Sequence, residues 1–259
     1  MLTLPSLPPR IIPCLLLQNE AFVKTRKFKN PVYIGDPVNT INLFNKFEVD
    51  EIVVLDISCS RNGIGPNFQL IEELASECWV PLTYGGGIRS VDDAKKILNS
   101  GIEKIIINSL LFSNPQEVKK CVDNFGSSSV VGCLNIRTNF FGKYEMRTKN
   151  NTIRAPVSFD SAIDLCIETK IGEIIINNIS RDGTRKGYDL DLIQEIARRV
   201  DCPVVALGGA SCLEDFKRVI EAGACAASAG SYFVFQSSDT ESILISYPNR
   251  KSIESLFYE

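Results

Sequence analysis

The sequence predicts a parallel α/β fold, the (βα)8 or TIM barrel with an internal half-barrel repeat. Three observations carry this prediction. Short apolar runs alternate with amphipathic segments, the runs number eight, and the two halves of the 259-residue chain match at a constant offset. Unbroken apolar runs fit strands covered on both faces, as in a parallel sheet wrapped by helices. Eight strand–helix alternations in a chain of this length close into a barrel.

In order, the runs are Ile11–Leu17, Glu51–Ile57, Val80–Tyr84, Lys104–Asn108, Val130–Ile136, Glu173–Asn178, Pro203–Leu207 and Ala224–Ala229. Helical stretches lie between them. Ser90–Ser100 opens with an N-cap serine, has Asp93 three residues on and closes at Gly101. Asn114–Phe125 carries a proline in its first turn and stops at Gly126. Ser158–Lys170, Asp189–Val200 and Ser211–Ala222 follow the same pattern. The repeat lays Glu51-Ile52 on Glu173-Ile174, an offset of 122. At that offset Ile57 meets Ile179, Gly86-Gly87 meets Gly208-Gly209, Gly101 meets Gly223 and Ser109 meets Ser231, while Gly85 meets Leu207. This predicts half-barrels at about 10–125 and 126–235 within one domain, 1–259, ending in a helix or tail over 236–259.

Composition narrows the chemistry. With no histidine in the chain, Ser-His-Asp or Cys-His catalysis and histidine metal sites are excluded. Acid–base work falls to carboxylates, Lys, Tyr or Cys. A net charge of -3 and scattered aromatics give no case for nucleic acid. Ile11–Leu17, interrupted by Pro13, is too short to span a membrane. None of the nine cysteines forms a CxxC pair, and several sit in apolar runs, so they read as buried, reduced thiols. The expectation is a soluble cytoplasmic protein with no metal and no cofactor.

In such a barrel, chemistry sits where strands end and helices begin. Gly86 and Gly87 follow the third run, Gly208 and Gly209 the seventh, and Gly230-Ser231 the eighth, with Asn108-Ser109 as the repeat mate of that last pair. Glycine lets the backbone approach an anion, and the next helix start offers free N–H donors. Either these are tight turns only, or they are two phosphate sites facing each other across the mouth, which implies an elongated bisphosphate ligand. The polar loop Ser180–Asp189 is too long for a plain turn, and Asp182 and Thr184 are its candidate contacts. Arg10, Glu51, Lys104 and Glu173 lie at the opposite strand ends. From spacing alone, a stabilising salt-bridge layer is favoured for them.

The stretches RIIPCLLL, VDEIVVLDI, PLTYGGGI, EKIIINS, GEIIINNISRDGTRKGYD, PVVALGGA and AGACAASAGSYF resemble the cyclase subunit of imidazole-glycerol-phosphate synthase from Arg10 to about Phe235. The resemblance implies a glutaminase partner at the barrel base. Ammonia then passes through the barrel to a bisphosphate substrate, giving imidazole glycerol phosphate and AICAR in histidine biosynthesis. It implies phosphate or substrate contacts at Gly86, Gly87, Asn108, Ser109, Asp182, Gly183, Gly208, Gly209, Gly230 and Ser231, and a mobile-loop lysine at Lys24. It also reassigns Arg10, Glu51, Lys104 and Glu173 as an ammonia gate.

The resemblance breaks at the two catalytic aspartates, where this chain has Leu16 and Asn135. Asp56 matches a further family aspartate. Leucine has no proton to exchange, and Asn is neither acid nor base near neutral pH. Losing one acid–base group costs ~10²–10⁴ in rate. This pattern, with IIPCLLL and ILISYP, is similar to paralogues of surface-polysaccharide gene clusters. There the ammonia serves amidation of a nucleotide-linked sugar by a separate ATP-dependent amidotransferase. The alternatives are a working cyclase and a non-catalytic scaffold that binds a phosphorylated small molecule and a partner.

Overall fold

The computed structural model describes residues 8–236 and 242–258. Positions 1–7 and 259 of the predicted domain, and 237–241 of its predicted tail, lie outside the described residues. The first half of the chain folds as β1 (Arg10–Gln18), β2 (Ala21–Arg26), β3 (Lys29–Gly35), α1 (Pro37–Lys46), β4 (Ile52–Asp56), α2 (Ile57–Asn62) and α3 (Phe68–Glu77). It continues through β5 (Leu82–Gly85), α4 (Val91–Asn99), β6 (Lys104–Ile107), α5 (Ser109–Ser113) and α6 (Pro115–Phe125). The second half comprises β7 (Val130–Thr138), β8 (Tyr144–Thr148), β9 (Ile153–Arg154), α7 (Phe159–Glu168), β10 (Glu173–Asn178) and α8 (Leu190–Ala197). Then come β11 (Val204–Leu207), α9 (Leu213–Glu221), β12 (Ala226–Ala229), α10 (Ser231–Val234) and α11 (Arg250–Tyr258).

Eight strands pair in parallel in the circular order β1-β4-β5-β6-β7-β10-β11-β12, and β12 returns to β1. They correspond to the eight apolar runs, so the chain is a (βα)8 barrel. The first half of β1 pairs with β12 (Arg10 with Ala226) and its second half with β4 (Leu16 with Leu55). That stagger tilts the strands and lets the sheet close. The hairpins β2–β3 and β8–β9 are additions to this plan. They extend β1 and β7 antiparallel above the mouth.

Helix starts follow their caps. Ser90 accepts from the Asp93 N–H, Ser158 from Ser161 and Asp189 from Leu192, each cap contributing ~1 kcal/mol. One start differs from expectation. Cys212, not Ser211, precedes α9, because Asp215 reaches back and takes both the N–H and the hydroxyl of Ser211.

Strand alternation divides the core into two layers. On β1, Ile11, Leu15 and Leu17 face the helices and join the outer layer with Phe44, Tyr84 and Phe216. Ile12 and Cys14 face the lumen with Val53, Ile106, Val131, Cys133, Ile175, Val205, Leu207 and Ala226. The cysteine expectation needs correction. Cys225 is exposed, and Cys78, Cys202 and Cys212 are half-buried, because they sit at strand and helix ends. Among the described residues no helix is long and apolar enough to cross a membrane.

Candidate functional site at the two ends of the barrel

At the base, Arg10, Glu51, Lys104 and Glu173 form a closed ring of alternating charge. The Arg10 guanidinium donates to both Glu51 and Glu173. Lys104 Nζ donates to Glu51 Oε2 at 3.0 Å and to Glu173 Oε2 at 3.1 Å. Thr83 adds a hydroxyl donor to Glu51 Oε1 at 2.7 Å. The side chains of Glu51 and Glu173 are only 4% and 9% exposed, and that of Lys104 is 15% exposed. Two cations and two anions leave the ring neutral, which is how buried charge is tolerated. Burial works against the Arg10 charge, but Glu173 and Glu51 outweigh it and hold its pKa above the ordinary value.

The ring's symmetry is broken in an informative way. Glu51 and Glu173 are repeat mates, but the mate of Lys104, 122 residues on, is Ala226. Arg10 is the register partner of Ala226 on the neighbouring strand. The second cation therefore comes from β1, into the space that Ala226 leaves.

Above the ring the lumen is apolar up to Cys14 and Cys133. Burial pushes both thiols up to about 12, so the column carries no charge near neutral pH. It opens into a mouth cavity of about 110 Å³. Leu16 and Asn135 line this cavity from β1 and β7, strands that stand opposite each other in the circle. Leu16 presents hydrocarbon. Asn135 Oδ1 accepts from Asn177 Nδ2 at 3.1 Å, so its amide is tied to the neighbouring strand.

Asp56 also lines the cavity, but its carboxylate is already engaged. Oδ1 accepts from the Ser58 N–H (2.9 Å), the Ser58 hydroxyl (2.7 Å) and the Cys59 N–H (3.2 Å). Oδ2 faces the Cys59 thiol at 3.1 Å. Asp56 thus caps α2. Burial, reinforced by this carboxylate, pushes the Cys59 thiol up to about 12.

The two glycine turns have matched geometry. A methyl group on Gly86 (φ 136°) would meet the Asp56 carbonyl oxygen at 2.6 Å, and one on Gly208 (φ 97°) would meet that of Asn178 at 2.9 Å. Asp56 and Asn178 are themselves 122 apart. Asn108 (φ −119°, ψ −74°) and Gly230 (φ −107°, ψ −71°) share one backbone conformation ahead of α5 and α10. The hydroxyls of Ser109 and Ser231, which open those helices, are buried without a protein partner.

Not every predicted contact reaches the cavity. Gly86, Gly87, Asn108, Ser109, Lys24, Asp182 and Gly230 line it. Gly183, Thr184, Gly208, Gly209 and Ser231 are not part of that lining. Thr184 turns its hydroxyl into its own loop, onto the Arg181 carbonyl at 2.7 Å. Gly209 packs against Gly187, whose N–H it accepts at 2.8 Å.

Lys24 is not on a loop. It lies in β2, is 4% exposed and pairs with Asp182 Oδ1 at 2.9 Å. Gly230 leaves room for its stem, since a methyl there would meet Lys24 Cε at 2.9 Å. Residues not predicted as contacts also line the cavity, among them Asn177 and, from the two hairpin turns, Phe28 and Asn150.

A closed parallel barrel with glycine turns and a cavity at its strand C-termini defines a (βα)8 protein whose candidate site is this mouth. Comparison with known proteins gives the family. The family described as histidine biosynthesis protein matches residues 10–239. A Leptospira interrogans protein, provisionally named as the HisF subunit of imidazole glycerol phosphate synthase, is 44% identical over 97% of this chain and 100% of its own length. A Pseudomonas aeruginosa protein, provisionally named as subunit hisF2 of the same enzyme, is 42% identical over 95% of this chain and 98% of its own. The Streptococcus mutans protein named imidazole glycerol phosphate synthase subunit HisF is 32% identical over 91% and 95%. The chain belongs to the histidine biosynthesis protein family, in its HisF-type cyclase group.

Proposed function

We propose that this barrel pairs at its base with a glutaminase and conducts the ammonia released there through its lumen. The ammonia serves amidation of a nucleotide-linked sugar by a separate ATP-dependent amidotransferase in surface-polysaccharide synthesis. A phosphorylated small molecule binds at the mouth, held by Gly86, Gly87, Asn108 and Ser109 on one side and by Lys24 and Gly230 on the other. The observation that supports this reading is the pairing of an intact Arg10/Glu51/Lys104/Glu173 ring with Leu16 and Asn135 at the mouth.

Neutral ammonia passes an apolar column at little cost, whereas ammonium is excluded by desolvation. A ring of ion pairs can admit a small polar molecule by parting one contact without leaving a net charge buried. At the mouth, ring closure needs groups that give and take protons, and neither leucine nor asparagine does so. Ammonia that arrives there leaves unreacted, for use elsewhere. The test is to mix the protein with its glutaminase and follow glutamine hydrolysis. Stimulation by the barrel is expected, and none at any ratio would overturn the reading.

A second reading, a working cyclase, is favoured by the presence of Asp56 in the cavity. It predicts conversion of the bisphosphate substrate with ammonium salt and no glutaminase. Against it stands the engagement of that carboxylate as the α2 cap.

A further inference from the structure

We infer that Trp79 is the anchor of the glutaminase interface, with Leu43 and Phe47 completing an apolar patch beside the ring. This rests on the glutaminase reading above and names the surface that would carry it. Trp79, the only tryptophan of the chain, is 80% exposed at the base of the barrel, just ahead of β5. Leu43 and Phe47, 39% and 37% exposed, are one helical turn apart at the end of α1.

The backbone that carries this side chain is pinned. Asn45 is buried and uses both ends of its amide there. Its Oδ1 accepts the Trp79 N–H at 3.0 Å and its Nδ2 donates to the Glu77 carbonyl at 2.7 Å. The Cys78 thiol donates to the Val80 carbonyl at 3.3 Å. Phe47 is braced edge-on by the buried Phe44, with centroids 6.2 Å apart. A solvent-facing aromatic on a backbone already pinned spares the ordering of the main chain on binding, which favours an interface hot spot.

The position selects the occupant. Thr83, four residues along from Trp79, bonds to Glu51 of the ring, and four residues of chain span at most about 14 Å. A standard interface covers about 800 Å² per partner, a disc roughly 16 Å in radius. A protein seated over the ring therefore extends towards the edge of the base where Trp79 stands. Exposed Glu48 and Glu77 flank the patch beside Lys46, so the partner surface should offer an apolar pocket with cations placed to meet the two carboxylates.

The experiment uses the full chain carrying 5-fluorotryptophan and an unlabelled glutaminase. One fluorine signal then reports Trp79 alone, while calorimetry measures binding. Binding with a displaced fluorine signal is expected, together with a Trp79→Ala loss of about 30-fold or more in affinity, the ~2 kcal/mol of a hot spot. Phe140→Ser/Phe141→Ser, at the far end of the barrel, should leave affinity unchanged. Binding with an unmoved signal would overturn the anchor and spare the glutaminase reading. Absence of binding would overturn both. A signal that moves with barrel concentration alone would assign the patch to a second copy of the chain and overturn the inference.

Discussion

Replacing Lys104 with methionine tests whether the base ring is one electrostatic unit. The substitution keeps the stem of the side chain up to the ε position and deletes the charged ammonium. It removes the contacts at 3.0 and 3.1 Å to two carboxylates that are 4% and 9% exposed. Breaking a buried pair in this way costs about 3–5 kcal/mol. The lower end applies, because Lys104 is 15% exposed and Glu51 keeps Arg10 and Thr83. About 3 kcal/mol in a chain of this size lowers Tm by roughly 6–12 °C, and total stability of ~5–15 kcal/mol leaves the barrel folded. Calorimetry should show this loss with little dependence on salt, since buried pairs are poorly screened. Adding Glu173→Gln restores neutrality and should recover at least half of it. A single-mutant shift below about 2 °C, the range of an ordinary surface change, or no recovery in the double variant, would refute the coupled ring. In the glutaminase complex the same variant should alter the ratio of ammonia delivered to glutamine hydrolysed.

Three further outcomes are expected. Leu16→Asp/Asn135→Asp should raise bisphosphate cyclisation with ammonium salt by at least ~10² over the parent, read by absorbance of the product. A parent that already turns over at that level would contradict the mouth chemistry. Gly86→Ala should be far more destabilising than Gly63→Ala. The first places a methyl 2.6 Å from the Asp56 carbonyl oxygen, whereas the second meets open space and only a left-handed backbone, costing roughly 1–2 kcal/mol; melting curves decide this. Finally, burial raises the folded-state thiols of Cys14, Cys59 and Cys133 from 9.0 to about 12. Their contribution to stability is full below pH 9 and is lost as pH rises from 9 towards 12, because the unfolded thiols release protons first. Alkaline titration of unfolding should steepen over that window and flatten in Cys14→Ala/Cys133→Ala.

The barrel was legible because its strands are buried on both faces, and burial on both faces leaves an unbroken apolar run. The antiparallel hairpins escaped for a related reason. The β2–β3 turn is made by Lys27 and Phe28 at φ 51° and 63°, a conformation usually marked by Asn-Gly. Nothing in Lys-Phe announces it. The β8–β9 turn did carry a signal, since Asn150 and Asn151 both take positive φ and asparagine tolerates that region. The ring residues were visible as charges at strand ends, but their closure into one circuit depends on the barrel bringing together positions 163 residues apart in sequence, such as Arg10 and Glu173. The occupation of Asp56 by its own helix, and the turning of Thr184 into its own loop, are local hydrogen-bond choices that residue type alone does not reveal.

The borrowed cation at the base has a consequence for assembly. Arg10, Glu51 and Lys104 belong to the first half of the chain, and Glu173 belongs to the second. Separated, the halves carry opposite surplus charge at the same surface, +1 against −1. Two copies of the first half would press together two unmatched positive charges, and two copies of the second would press together two negative ones. Only the mixed pair is balanced. The ring therefore works as a key that rejects like-with-like association. Co-expressed fragments 1–125 and 126–259 should associate as heterodimers, and Glu173→Lys should abolish that preference.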